Sequence, residues 1–304
     1  MPPSSDSVPP GRGDVPGHAD VVDIRRPEEF RSGHLPGAWS RPLEAEPRWP
    51  RRGPCDARLV AELLPSVLLP ARDRPLLVTA SSFPAARAVA SALAARGRAV
   101  SPVSLGPDAL PRWRRLAVET GPGRARLWSP PPFLARWAHV LPPPAAGHVL
   151  DLAAGSGRAA VWLAGRGYRV TAVDRDPGAL VLAGQLARLE GVDLTLREGD
   201  LRRAPALPAG PWAVVLLFRY LDRPLLRRLA TVMAPGGLLV LRTFRDAPGH
   251  RGPPSARHRL RRLEIPALLA GDAWELLVHE EGFDPDGQAA AGAVARRRAP
   301  AVVT

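Results

Sequence analysis

The chain has 304 residues, 45% of them hydrophobic, which is enough for two domains with real cores and argues against global disorder. Its 42 basic residues are all arginine and outnumber 29 acids, giving a net charge of +13. With 37 prolines and 28 glycines this is the composition of a GC-biased coding sequence, and the arginines lack the interleaved aromatics of a stacking surface, so nucleic acid is not expected as a partner.

The single cysteine, Cys55, excludes a disulfide within the chain. The histidines show no ligand spacing, so no metal is expected. No apolar run reaches the length of a membrane span, and the N-terminus lacks a basic region followed by an apolar one. A cytoplasmic protein without membrane attachment is the expectation; oligomeric state is not written in the sequence.

Residues 1–17 are rich in Pro, Gly and Ser and read as a disordered tail, with an Arg-Gly-Asp triplet to which no function attaches. Residues 18–108 form a first domain. His18 to Arg25 reads as a strand, Pro27 to Phe30 opens a short helix, and Gly33 to Ala38 is a turn. Pro75 to Thr79 reads as a buried strand, Ser81 to Pro84 as a loop, and Pro84 to Arg96 as an alanine-rich helix closed by Gly97. Ala99 to Leu105 supplies a last strand. Residues 109–147 are a Pro-rich linker in which Phe133 to Val140 can form a short helix, either packed on the second domain or closing its site; Trp128, Phe133 and Trp137 are its prominent side chains.

The succession Pro27-Glu28-Glu29-Phe30 and Gly33-His34-Leu35-Pro36-Gly37-Ala38 resembles the opening of the rhodanese-like domain. That resemblance implies a small α/β domain whose sulfur-carrying cysteine would stand where this chain has Ala80. The glycine and arginine that shape such a loop align with Phe83 and Ala85. Without a nucleophile no sulfur transfer is expected, and a structural or interaction role remains.

Residues 148–304 alternate strand and helix, the pattern of a parallel sheet covered on both faces. Val149 to Leu152 is a short apolar strand, followed by a Gly155-Ser156-Gly157 turn and a helix to Ala164. Tyr168 to Asp174 is a strand. Asp176 caps the next helix, with Pro177 at its first position and Gly191 past its end. Val192 to Glu198, Trp212 to Phe218 and Leu238 to Leu241 read as further strands. Between the last two lie a helix with Leu225, Leu226, Leu229 and Met233 on its apolar side and a turn at Ala234 to Gly237. Residues 245–262 read as a loop, Ile265 to Leu269 as helix, and Trp274 to Glu280 and Ala289 to Arg297 as final strands.

Gly155-Ser156-Gly157-Arg158-Ala159-Ala160 also fits the dinucleotide fingerprint, so NAD is a rival cofactor. Asp151, four residues before the first glycine, adds a negative charge from which a pyrophosphate gains nothing and an ammonium or sulfonium gains much. Residues 148–298 are similar to the class I S-adenosylmethionine-dependent methyltransferases: Leu150 to Arg158 matches their first motif, Ala172-Val173-Asp174 the second, Gly199-Asp200-Leu201 the third, and Ala234 to Gly237 their Pro-Gly-Gly turn. The stretch ending Leu241-Arg242-Thr243-Phe244 looks most like the tellurite-resistance branch. The resemblance implies a Rossmann-like, doubly wound α/β methyltransferase sheet behind the smaller rhodanese-like α/β domain, with S-adenosylmethionine as cofactor and a small molecule as methyl acceptor.

By that resemblance, Asp151, Gly155, Gly157 and Arg158 hold the methionine end, Asp174 the ribose, and Asp200 and Leu201 the adenine, with Arg175 a further cofactor contact. Ala153 replaces the motif's usual first glycine. Leu216 to Tyr220 sits at the fourth motif, where Phe218 is counted with the cofactor-binding residues; past the fourth and fifth strands lie Arg219, Tyr220, Arg242 and Thr243, of which Arg219 and Tyr220 are the candidates for catalysis. Arg219 is expected either to stabilise an anionic acceptor or to be a surface arginine or an ion-pair partner of Asp222, and the Arg245–Arg262 loop could select an anionic substrate. Two other readings stay open: a cofactor-binding regulatory protein that has lost transfer, and a nucleic-acid methyltransferase, whose Asn/Asp-Pro-Pro-aromatic run is absent at Leu217-Phe218-Arg219-Tyr220.

Overall fold

The computed structural model describes residues 19–50, 55–70, 72, 74–106, 118–203, 207–248 and 254–299. The tail expected over 1–17 and the first part of the expected linker, 109–117, lie outside them. The described residues fall into two units, one up to Ser129 and one from Pro130 onward. Residues of the expected linker are thus divided, with 118–129 in the first unit and 130–147 in the second.

The first unit is built on a parallel sheet. Strands β1 (Asp20–Asp23), β2 (Trp39–Ser40), β3 (Leu76–Ala80) and β4 (Val100–Ser104) stand in the order β2-β1-β3-β4. Helices α1 (Pro27–Ser32), α2 (Ala57–Leu63) and α3 (Phe83–Ala94) join them. α2 was not singled out in the sequence, although Asp56 caps it by accepting from the Arg58 amide at 2.8 Å. The central strands β1 and β3 are apolar on both faces: Val22, Ile24 and Val78 pack into one cluster with α2 and α3, while Val21 and Leu77 pack with Phe30 and Leu105 in another. One charged pair is fully enclosed. Arg25 grips Asp23 through Nε and NH2 (3.1 and 2.7 Å) and donates its other N–H groups to the carbonyls of Gly33 and Leu105 (2.7 and 3.1 Å), tying three segments together.

The second unit holds a mixed seven-stranded sheet. After helix α4 (Pro132–Trp137) come β5 (Val149–Leu152), α5 (Arg158–Ala164), β6 (Val170–Asp174), α6 (Pro177–Glu190), β7 (Thr195–Glu198), β8 (Trp212–Phe218), α7 (Arg223–Val232), β9 (Met233–Phe244), α8 (Glu264–Leu268), β10 (Trp274–Phe283) and β11 (Ala289–Arg297). The order is β10-β11-β9-β8-β5-β6-β7. β5 to β9 run parallel, and β11 is antiparallel to both its neighbours. This is the Rossmann-like architecture expected, with an antiparallel finish.

Local signals account for most of these elements. Asp176 and Asp222 cap α6 and α7 through bonds to Gly178 (2.8 Å) and Leu225 (2.9 Å), and Gly191 ends α6 in the left-handed conformation. Two details differ from expectation. Met233 does not finish α7; it begins β9 opposite Trp212. The Ala234–Gly237 turn is an excursion inside β9, since Met233 pairs with Trp212 and Leu238 with Val214. Leu226 and Leu229 of α7 and Ile265 of α8 cover the face formed by Leu150, Val215 and Leu239. Phe133 of α4 is buried against Gly292 of β11, and Trp137 donates to Glu280 of β10 at 3.1 Å.

Candidate functional site: a cleft at the carboxyl ends of the parallel strands

The chain leaves β5 through three left-handed residues, Ala153 (φ 53°), Gly155 (φ 55°) and Gly157 (φ 73°). A side chain on Gly157 would bring its Cβ to 2.6 Å from the Ala183 methyl of α6, so glycine lets α5 start pressed against that helix. Nothing lies within 4 Å of where a Cβ on Gly155 would be, which leaves that backbone accessible to a ligand. Ala153 adopts the same conformation with a methyl group, at a cost of about 1 kcal/mol.

Asp174, at the end of β6, is fastened to this turn. Its Oδ2 accepts from the Gly155 amide at 2.7 Å and its Oδ1 from the Asp176 amide at 3.0 Å. Asp151 lies deeper, only 2% exposed, with its Oδ2 lacking any hydrogen-bond partner. Burial pushes its carboxyl up to about 7; a backbone bond from Ala160 opposes the rise and the charge of Asp174 adds to it. Asp200, past β7, accepts from the Arg202 amide (3.2 Å), Nε (3.0 Å) and NH2 (2.8 Å). These bonds hold its carboxyl down to about 2.

A cleft of about 640 Å³ opens here. Strand order puts β6 and β7 on one side of β5 and β8 on the other. The first side contributes Asp174, Arg175, Asp200 and Leu201, with Ala153 from the turn; the second contributes Arg219, Tyr220, Leu221 and Arg223. Pro254, Arg257 and His258 complete the wall. Of the residues picked from sequence, Ala153, Asp174, Arg175, Asp200, Leu201, Arg219 and Tyr220 therefore line one cavity. Asp151, Gly155, Gly157, Arg158 and Phe218 do not line it: the first four belong to the end of β5, its turn and the start of α5, and Phe218 is the half-buried last residue of β8. Burial lowers the Arg158 guanidinium from its ordinary value.

Arg219 does not pair with Asp222, which is occupied as the cap of α7. Its guanidinium is 2.6 Å from Asp286 and 3.6 Å from Asp284, both in the turn between β10 and β11. Arg242, from β9, binds the same Asp284 at 2.6 Å. Tyr220 is half-buried, and desolvation raises its phenol above the ordinary value, so it keeps its proton at neutral pH. The sequence did not single out Arg202, Leu221 or the Pro254 and Arg257-His258 positions; only the surplus of Arg, Pro and His over 245–262 hinted at the last. Phe133 and Trp137 do not line the cleft, so α4 packs on the outer strands rather than closing the site.

Residues 149–237, from β5 through the excursion in β9, match a family model described as a methyltransferase domain. Residues 149–237 thus carry the sequence pattern of a methyltransferase domain. The chain is 31% identical over 101 residues to a ubiquinone biosynthesis O-methyltransferase of Caulobacter sp., covering 32% of this chain and 40% of that one. It is 27% identical over 219 residues to the uncharacterized protein UNK4.09 of Schizosaccharomyces pombe, covering 56% of this chain and 64% of that one. The chain thus spans less than two thirds of the length of either relative. Among solved structures, TehB of Haemophilus influenzae matches at 17% identity with a TM-score of 0.45, covering 55% of this chain and 61% of that one.

The residues of the methyltransferase domain fit S-adenosylmethionine on their own chemistry. The unpartnered oxygen of Asp151 suits an ammonium, the open backbone at Gly155 suits close approach, and the carboxylates of Asp174 and Asp200 are both acceptors on one cleft with apolar Leu201. Asp174 would suit the ribose of either cofactor; it is the carboxyl of Asp151, beneath the turn, from which a dinucleotide pyrophosphate would gain nothing.

Proposed function

We infer that the protein is a methyltransferase that transfers the methyl group of S-adenosylmethionine to a small-molecule acceptor, behind an N-terminal unit of rhodanese-like ancestry that transfers no sulfur. One observation carries the first half: Asp174 and Asp200, at the ends of adjacent parallel strands, line one cleft beside the glycine turn. Asp151, Gly155, Gly157 and Arg158 would hold the methionine end, Asp174 the ribose, and Asp200 and Leu201 the adenine, with Arg175 a further cofactor contact. The Arg202 bonds keep Asp200 ionised and therefore an acceptor toward an amino group.

Bound S-adenosylmethionine supplies a methyl already activated on a sulfonium, so the protein's work is alignment and exclusion of water. Tyr220 is a hydrogen-bond donor at neutral pH and can orient the acceptor from the cleft wall. Arg219 is a positioning residue, since its charge is matched by Asp286 and Asp284 and it ties β8 to the β10–β11 turn. The likeness to the Caulobacter O-methyltransferase favours an acceptor methylated on oxygen. The tellurite-resistance branch rests on the likeness of the Leu225–Phe244 region.

The sulfur reading fails on chemistry. Ala80 is fully buried, and the adjoining Ser81 hydroxyl is held 2.5 Å from Glu44 and 3.1 Å from Glu29, surroundings that oppose a thiolate. Cys55 is elsewhere, before α2, and burial and Asp56 push its thiol up.

The test is calorimetric titration with S-adenosylhomocysteine. Asp174→Ala should remove detectable binding, because the variant loses a ribose acceptor and the bond that fixes Gly155. Unchanged affinity would overturn the reading. Binding without transfer across broad acceptor screens would favour the regulatory alternative.

A further inference from the structure

Resting on the methyltransferase reading, the cleft has a second recognition element whose chemistry names the class of acceptor. Of the five arginines on its wall, three are neutralised by carboxylates: Arg202 by Asp200, Arg219 by Asp286, and Arg223 by Glu264; Arg175, beside Asp174, belongs to the cofactor side of the cleft. Arg257 is not. Its Nε donates to Nε2 of His258 at 3.1 Å, and among the described residues neither side chain has a carboxylate within ion-pair reach. Accepting that bond requires His258 to be neutral at Nε2, so the pair offers one full positive charge and an imidazole on the cleft wall.

The backbone beneath this pair is clamped. Arg223, itself gripped by Glu264 at 2.5 and 2.9 Å, donates to the carbonyls of Arg257 (2.8 Å) and Arg259 (3.0 Å). Arg259 reaches back to the Pro254 carbonyl at 2.9 Å and to Asp246 at 2.9 Å. Leu260, fully buried, is bonded to Phe244 at the end of β9. Two arginines thus hold the chain so that a third, unneutralised, lines the same cleft as Tyr220. A guanidinium and an imidazole N–H on one wall can bind an oxyanion through two donors.

We propose that Arg257 and His258 bind an anionic group, carboxylate or phosphate, on the methyl acceptor, away from the atom that receives the methyl. The acceptor is therefore a small organic acid or phosphate ester, and Arg257 sets specificity for it.

The full chain should be titrated with benzoate, with phenyl phosphate and with neutral benzamide, each with and without S-adenosylhomocysteine. At least one anion should bind the wild type about tenfold more tightly than it binds Arg257→Ala, benzamide should show no such difference, and the preferred anion separates carboxylate from phosphate. S-adenosylhomocysteine affinity should be the same in both proteins, which also shows the variant folded. Equal binding of the anions to both proteins, or no binding of either anion to the wild type, overturns the proposal. Failure of S-adenosylhomocysteine to bind the wild type would instead count against the methyltransferase reading, and the anion arms run without it still decide this one.

Discussion

Asp151→Asn isolates the buried carboxyl beneath the glycine turn. In the folded protein this group titrates near 7, against an ordinary value of 3.8. That difference corresponds to at most about 4 kcal/mol of preference for the neutral form. Because folding raises the pKa, the folded state binds the proton more tightly. Stability is fully present below the unfolded value and is lost as pH rises through about 7, where the unpartnered carboxylate must ionise in place. Asparagine never ionises. At about pH 3.5 residue 151 is largely neutral in folded and unfolded chains alike and the two proteins should agree within about 1 kcal/mol; wild-type stability then falls up to about pH 7, and at about pH 8.5 the variant should be the more stable by about 2–4 kcal/mol. Hydrogen exchange of the β5 and β8 amides across the pH range reads the second unit by itself. The same substitution should weaken S-adenosylhomocysteine binding, because the charge that costs stability is the one an ammonium would complement. A stability difference that does not change with pH would refute the reasoning.

Ala153→Gly relieves a left-handed alanine but gives the unfolded chain more freedom; the net should be a gain of up to about 1 kcal/mol, with S-adenosylhomocysteine bound at least as tightly. A loss of both, in denaturant melts and calorimetry, would mean that the methyl group makes a contact worth more than the strain. In the first unit, Arg25→Met leaves Asp23 charged and enclosed and should destabilise that unit by about 3–5 kcal/mol, read from exchange of β1 and β3 amides; a change under about 1 kcal/mol would show that the buried pair is dispensable.

The elements legible in the sequence were those whose signals are local. Trp212–Phe218 is an unbroken apolar run between a Pro-rich turn and polar residues, and it is β8 to the residue. Asp176, Pro177 and Gly191 mark both ends of α6 because caps act within a few residues. α2 was not singled out, although its Asp56 cap and the helical spacing of buried Val60, Leu63 and Leu64 are local signals of the same kind. Met233 was assigned to α7 because it continues that helix's apolar spacing; pairing with Trp212 on β8 took it into β9 instead.

The site divides the same way. The turn, Asp174, Asp200 and the cofactor they suit are determined by sequence, because each acid ends a strand and strand order follows from alternating strand and helix. Which arginine remains available to an acceptor was not. Arg219 follows β8 directly and looked suited to that role, but Asp286, 67 residues along the chain, neutralises it once β11 returns beside β9. Arg257 looked like one more charge in a loop, until Arg223 and Arg259 held its backbone against the cleft. Ion pairing is a matter of distance in space: local sequence determined where the charges lie along the chain, and only the tertiary structure decided which of them were left to meet a ligand.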